Sequence, residues 1–555
     1  MINRISRRPL KKKSISYMSP APVKGLNTAD PLASMDLLYA LSCINFIATP
    51  QGLSLREGYK KWATGLPEVP TTLISYNNNT STTNKLFAVA GGEIFDVTTG
   101  GAVGAPVVTG LSTTNTYWQQ ANQAGVSSGK AFVGIVNGVD YPRLYDGTSW
   151  ITCSQVASPA AVGEMSINDS AGNAVDIRHF NDILLHQQRL WFVKNNSTKG
   201  YYLDIAQAGG TIYPFDFGSF FPRGGKLWKL ASWSTDTNSD RGVNAMLIAI
   251  SDKGDIAIYK GTSPTDASTW GLVSVNQLGA PISHSCTYNF INDLLYLSRE
   301  GIYPLSSYIQ VGQANNSAAI THKIAPTVSD IASVYSGIDG WQMIGYPGQN
   351  LLLLNVPQGV PQNNFQFAFN TVTQGWSQFV GICATSWGLF NERLYFGGSS
   401  GAVGDNFVGL AFSGFADGAG IDGKNGNSVV ASCLSAFDRM LGVSGLDSNQ
   451  KNVRLVKPYV ITGEVAPRVL VAVNSDFNIV LTQGTSSSSY ATNALWDTAI
   501  WDDAFWSGSL NNFNKWITPR CYPGEALAIS IAVSASTQTL WVGTSWVIEP
   551  GRNLM

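Results

Sequence analysis

The sequence predicts an all-β chain: a β-propeller with an added β-sandwich-like platform domain and one N-terminal helix. Three observations lead there. First, only 13% of the 555 residues are charged, against about 25% in an average soluble protein. The surface must therefore be wetted by Asn, Gln, Ser, Thr and the 56 glycines, a turn-dense composition. Second, a strand–turn–strand unit recurs along the middle of the chain. Third, beyond residue 421 the strand-like runs become longer and lose that repeat.

Taken in order, residues 1–24 read as a basic arm. Arg4, Arg7, Arg8, Lys11, Lys12 and Lys13 carry six positive charges with no acid among them. The whole chain has a net charge of −1, so the rest stands at −7. The stretch after the arm is broken by Pro20 and Pro22, which argues against a secretory signal. Residues 25–69 read as a helix and a strand joining the platform. Leu37, Leu38, Leu41, Ile44 and Ile47 fall at helical spacing over Asp36–Ile47, with Ser34 as a candidate cap.

Residues 70–420 read as the propeller, of about six or seven blades. The repeated unit begins at Lys85, Lys130, Arg189, Ala245, Leu294, Leu351 and Arg393, and often closes on an aromatic. Its mean step is about 51 residues, close to the size of one four-stranded blade. Within the sixth unit, Phe369–Trp376 (FNTVTQGW) resembles a kelch-type strand–turn–strand, which makes Trp376 a structural anchor between blades. Residues 421–555 read as the platform. There Leu527, Ile529, Ile531 and Val533 alternate with small residues, as in a half-buried strand.

Few residues offer chemistry. The six cysteines are widely spaced and read as free buried thiols. Of the four histidines, His179 and His186 sit seven apart in a strand-rich segment, and neither has a metal-ligand partner at the expected spacing. No G-x-S-x-G, H-E-x-x-H or P-loop pattern occurs. The sequence therefore points to no catalytic residue, no metal and no cofactor. Trp496, Trp501 and Trp506 recur at five-residue intervals, a spacing that fits neither a helix face nor a strand face. They read as indole anchors pinning a loop, with a stacking platform for sugars or bases as the other reading. The arm reads either as a solvated terminus or as a ligand for DNA phosphates or an acidic protein groove. Arg56, Tyr59 and Trp62 join it as candidates for partner contact.

Three stretches together resemble the tail nozzle proteins of short-tailed bacteriophages (podoviruses), also described as packaged-DNA stabilisation or tail tubular proteins. The first runs from Ala21 to Leu66 and holds Gly25-Leu26-Asn27, the segment Met35–Phe46 and Arg56-Glu57-Gly58-Tyr59. The second is the blade series with FNTVTQGWSQF. The third is the C-terminal run from VRLVKPYVIT through WDTAIWDDAFW to TLWVGTSWVIEPG. The resemblance implies a structural virion protein and not an enzyme. It implies a homo-hexameric ring below the tail adaptor and portal proteins, with tail fibre, spike or needle proteins at its side or tip. Such a ring retains packaged double-stranded DNA and conducts it during ejection without reading its sequence. It has no membrane anchor, is made in the host cytoplasm and resides in the virion tail. The alternative is a carbohydrate-binding or receptor-binding β-propeller. A soluble cellular propeller acting as a scaffold is a third class, disfavoured by the low charge.

Overall fold

A computed structural model describes residues 14–78, 81–123, 129–234, 245–266, 268–290, 293–307, 318–444, 446, 449–463, 467–479, 485–487, 511–513 and 515–553. Among the described residues, seven sheet units with antiparallel hairpin cores follow one another along the chain from Thr72 to Ala411, the third extended by the parallel pairing of Glu164–Asp169 with Ser154–Val156 and Gly210–Asp216. Their innermost strands are Thr72–Tyr76, Gln119–Gln123, Phe180–His186, Leu227–Trp233, Thr287–Phe290, Gln342–Tyr346 and Ala384–Phe390. Every repeat unit found in the sequence begins at or beside the second strand of a sheet: Lys85–Ala90, Phe132–Val136, Arg189–Lys194, Met246–Ser251, Asp293–Ser298, Leu351–Val356 and Arg393–Ser399. The unit is therefore the hairpin core of a blade, and the blades among the described residues number seven.

Apolar clusters fill the seams between successive blades. Phe87 and Val89 of the first blade pack with Val133 and Tyr145 of the second. Phe132 of the second packs with Ile183 and Phe192 of the third. Trp191 and Tyr202 of the third meet Leu247 and Tyr259 of the fourth. One larger cluster joins the fourth, fifth and sixth through Ile258, Leu295 and Leu354. Leu353 and Phe379 of the sixth pack with Trp387 and Phe396 of the seventh. Leu73 and Leu86 of the first then meet Phe390 and Tyr395 of the seventh, closing the ring. Closure leaves only short edges, as a propeller requires.

The outer strand of the seventh blade comes from the start of the chain. Tyr59–Leu66 pairs antiparallel with Asn406–Ala411. This corrects the expectation that residues 25–69 all join the platform: the chain contributes Ala40–Leu55 to the platform and then crosses to lock the propeller. A terminal strand recruited in this way ties the first-made and last-made parts of the ring together by backbone hydrogen bonds.

The platform has two facing sheets. One holds Phe46–Thr49, Gly52–Leu55, Thr539–Asn553, Asn449–Thr462 and Asn511–Phe513, with Ile15–Pro20 alongside Thr539–Asn553. The other holds Ala40–Ile44, Asn427–Ser435, Leu527–Ala535, Arg468–Ser475 and Thr485–Ser487. Val456, Val460, Trp541 and Ile548 of the first share a core with Cys433, Val471, Ile529 and Ile531 of the second. The second sheet is continuous with the sixth blade, because Ala40–Ile44 lies parallel to Trp376–Val380. Ile15–Pro20 thus belongs to the platform and not to the arm.

The expected helix over Asp36–Ile47 is instead two strands, Ala40–Ile44 and Phe46–Thr49. Helical spacing was present, but the segment lies between strands that supply its backbone partners. Asn45 breaks it with φ 57°, a left-handed conformation that Asn tolerates better than most residues. Helix occurs elsewhere, at Ala325–Tyr335, with Pro in its first turn and Val328 and Ala332 buried. Five cysteines are buried and Cys521 is half-buried, all as free thiols. Among the described residues, no helix is long and apolar enough to cross a membrane.

Candidate functional site

Of the sequence-predicted residues, the structure brings Arg56, Tyr59 and Trp376 to the joint between propeller and platform, and it buries all three inside the chain. Arg56 is fully buried. Its Nε donates to Asn45 Oδ1 at 2.8 Å. Its Nη1 donates to Glu57 O and Asp417 Oδ1, both at 2.9 Å. Its Nη2 donates to Val380 O at 2.7 Å and Asp417 Oδ2 at 2.6 Å. All five guanidinium protons are therefore committed. Tyr59 is buried between Phe396, 5.0 Å away edge-on, and Phe407, stacked at 6.0 Å. Burial pushes its phenol well above the usual range. Trp62 is half-buried, donates from Nε1 to Val97 O at 2.8 Å and packs on Tyr395. The expectation of partner contact for Arg56 and Tyr59 is thus corrected: they hold the subunit together, because a buried guanidinium is stable only when every proton is satisfied.

Trp376 is 1% exposed and donates from Nε1 to Ile320 O at 3.1 Å. Its carbonyl accepts from Leu26 N at 2.7 Å. That contact needs Gly25 with φ 71°, where an added Cβ would stand 2.3 Å from Trp376 O. Asn27 follows, fully buried, with Oδ1 accepting from the amides of Ala29 and Asp30. The arm residues Arg4, Arg7, Arg8, Lys11, Lys12 and Lys13, and Trp496, Trp501 and Trp506, lie outside the described residues.

Sequence reasoning missed Asn45 and Asp417, the partners that make Arg56 a joint. Asn45 Nδ2 donates to Val430 O at 2.8 Å, and its Oδ1 also accepts from Val380 N at 2.8 Å. Neither residue has a local signal, since each is identified only by what it meets.

The second feature is a cavity of about 810 Å³ on the propeller axis, lined by the starts of the innermost strands. Side chains link most of these blades to a neighbour. Gln120 Nε2 donates to Leu73 O, Lys229 Nζ to Asp182 Oδ1 at 3.0 Å, Trp228 Nε1 to Ser283 O, Ser283 Oγ to Trp341 O and Gln342 Nε2 to Trp387 O. Thr385 Oγ1 donates to Pro70 O at 2.6 Å and joins the seventh blade to the first. The sequence separations of several such pairs, 45 for Gln342–Trp387, 46 for His186–Ser232 and 47 for Asp182–Lys229, are each one blade step. Superposing the repeat units would have revealed them. His186 is buried with Nδ1 on Ser232 Oγ at 2.9 Å, and burial lowers its pKa to about 4. Among the described residues no cluster of His, Cys, Asp and Glu could hold a metal ion.

No family model matches the chain, and no curated protein matches it in sequence. Among solved structures, it is similar to the N-terminal domain of BBS1 in complex with ARL6, soaked with lead, at 10% identity and a TM-score of 0.39, over 64% of this chain and 98% of that one. It is also similar to YCF48 bound to a D1 peptide, at 12% identity and a TM-score of 0.34, over 64% and 97%. Likeness at this level carries no functional inference, and the propeller assignment rests on the order of the sheets themselves.

Proposed function

We propose that the chain is a structural virion protein, a tail nozzle subunit of a short-tailed phage whose ring continues the head-to-tail channel, retains packaged DNA and conducts it. The observation that carries this reading is the convergence of the three family-like stretches on one joint. Gly25-Leu26-Asn27 abuts Trp376. Arg56-Glu57-Gly58-Tyr59 reaches Val380 and Asp417. The C-terminal strands Asn449–Thr462 and Thr539–Asn553 pair beside Gly52–Leu55. Landmarks hundreds of residues apart thus serve a single purpose, rigid attachment of a propeller to a platform.

Size and charge support the same reading. A sphere of the axial cavity's volume is about 12 Å across, no wider than the major groove of a duplex alone. DNA would therefore pass between subunits and not through a propeller. A body at −7 per chain, repeated around a ring, repels phosphates, so cargo slides without being held by fixed cations. The basic arm then suits an acidic adaptor groove.

Electron microscopy of the purified full-length chain and of its parent particle tests the proposal. The expected result is a six-fold ring at the tail, several times the 59.5 kDa of one chain. A chain that stays monomeric and is missing from the tail overturns it.

A further inference from the structure

Two cysteines of the platform face each other across a strand pair. In the antiparallel register of Ala40–Ile44 with Asn427–Ser435, Cys43 stands opposite Cys433. Residues paired in this way project to the same face of a sheet. Both side chains belong to the core shared by the two platform sheets, and each is 1% exposed. Both are free thiols in the structure. Cys153, Cys286, Cys383 and Cys521 all lie outside the strands, so none of them has such a partner.

The pair is of the close kind. On the other side of Ala40–Ile44, Ile44 faces Gln378 in a parallel ladder, and Asn45 N donates to Gln378 O at 2.8 Å. In such a ladder the two residues flanking Ile44 make the bonds, so Cys43 directs its backbone groups to the sixth blade. Cys43 and Cys433 are therefore a non-hydrogen-bonded pair, whose Cα atoms stand about 4.5 Å apart. A disulfide spans roughly 4.4–6.8 Å between Cα atoms, so closing the bond needs little backbone movement. Burial, and then the neighbouring Cys43 thiol, hold the Cys433 thiol well above its usual range. Its thiolate is scarce while the chain is folded, and exchange is slow until the strand pair opens.

We infer that Cys43 and Cys433 form a modification site, which a small oxidised disulfide such as oxidised glutathione converts into a cross-strand disulfide. One cysteine thiolate attacks a glutathione sulfur, making a mixed disulfide and releasing one glutathione. The second thiolate attacks the cysteine sulfur of that mixed disulfide, forming the bond between Cys43 and Cys433 and releasing the other glutathione. The two cysteine protons end on the two released glutathiones, which carry the two electrons. The whole propeller, Thr72 to Ala411, lies between the two cysteines in sequence. The bond therefore staples the chain that enters the propeller to the chain that leaves it.

The test is peptide mapping of the full chain. Urea is raised until N-ethylmaleimide reaches Cys43 in a parallel sample, and the chain is then dialysed out of urea with oxidised and reduced glutathione. After remaining thiols are blocked, tryptic digestion without reductant is expected to yield residues 25–56 linked to residues 425–439, each of which holds one cysteine. The intact mass is expected to fall by about 2 Da, the two hydrogens lost. The linked chain is expected to melt at least about 2 °C higher than the reduced one, and dithiothreitol should reverse both changes. Cys433→Ala should abolish them and Cys153→Ala should keep them. If Cys433→Ala does not fold, the map of the wild-type chain decides. Recovery of the two peptides unlinked, their linkage to other cysteines, or a linked chain that melts no higher overturns the inference.

Discussion

Arg56 and Asp417, 361 residues apart in sequence, meet in a two-pronged ion pair with N–O distances of 2.9 and 2.6 Å. The guanidinium lies where the platform strands, the sixth blade and the segment leaving the seventh blade come together. Asn45, Glu57 and Val380 take its remaining protons. Arg56→Ala leaves the Asp417 carboxylate without its donor and removes one of the two that serve Asn45 Oδ1, and we expect a loss of about 3–5 kcal/mol in urea unfolding. Arg56→Lys keeps the charge but replaces five donors with three and loses the fork, so it should recover less than half of that. A loss below about 1 kcal/mol for Arg56→Ala would show that the pair does not hold the joint.

Gly58 is the tightest point of the same joint. Its amide donates to Gly414 O at 2.7 Å, and its carbonyl accepts from Ser413 N at 3.1 Å. A Cβ there would stand 2.0 Å from Ala416 O. Gly58→Ala must push two backbones apart, so we expect a loss of at least about 1–3 kcal/mol and faster proteolysis of the closing strand Tyr59–Leu66. An unchanged melting temperature would contradict the close approach.

His186 makes stability depend on pH in a defined window. Its folded pKa is lowered from 6.5 to about 4 by burial. Between these values the unfolded chain takes up a proton that the folded chain refuses. The contribution is therefore fully present above about pH 6.5 and is lost as pH falls towards 4. By pH 5 the loss from this residue is about 2 kcal/mol. Urea midpoints at pH 7.5 and 5 should differ by less in His186→Gln than in the wild type, and an equal difference in both would remove His186 as the cause.

Removal of residues 1–13 takes away six positive charges and stops short of the strand Ile15–Pro20. The unfolding midpoint should stay constant, and, under the proposed nozzle role, binding to an adaptor should weaken on truncation and, for the full chain, with salt. Adaptor binding by the truncated chain equal to that of the full chain would exclude the arm from that interface.

Much of this architecture was legible without coordinates. The seven repeat starts mark seven blades because a blade's hairpin core is local: a polar start, an apolar strand, a turn and a second strand lie within a few residues. Trp376 was legible for the same reason, closing a turn in which Asn370 Oδ1 accepts from the amides of Val372 and Thr373. The segment Asp36–Ile47 was not. Its apolar spacing fits a helix, and nothing within it announces the two flanking strands. Nor could Tyr59–Leu66 be recognised as the closing strand, since its partner Asn406–Ala411 lies at the far end of the propeller.

By itself, then, the sequence determined the class, the repeat and the placement of charge at one end, all properties of neighbouring residues and composition. Tertiary structure decided which segments close the ring, why Arg56 is buried, and that Lys229 on the wall of the axial cavity reaches Asp182 of the preceding blade. These outcomes depend on hydrogen-bond partners brought together only when seven seams pack at once. The physical reason is that a buried polar group takes its role from whichever atoms satisfy it, and those atoms are chosen by the fold.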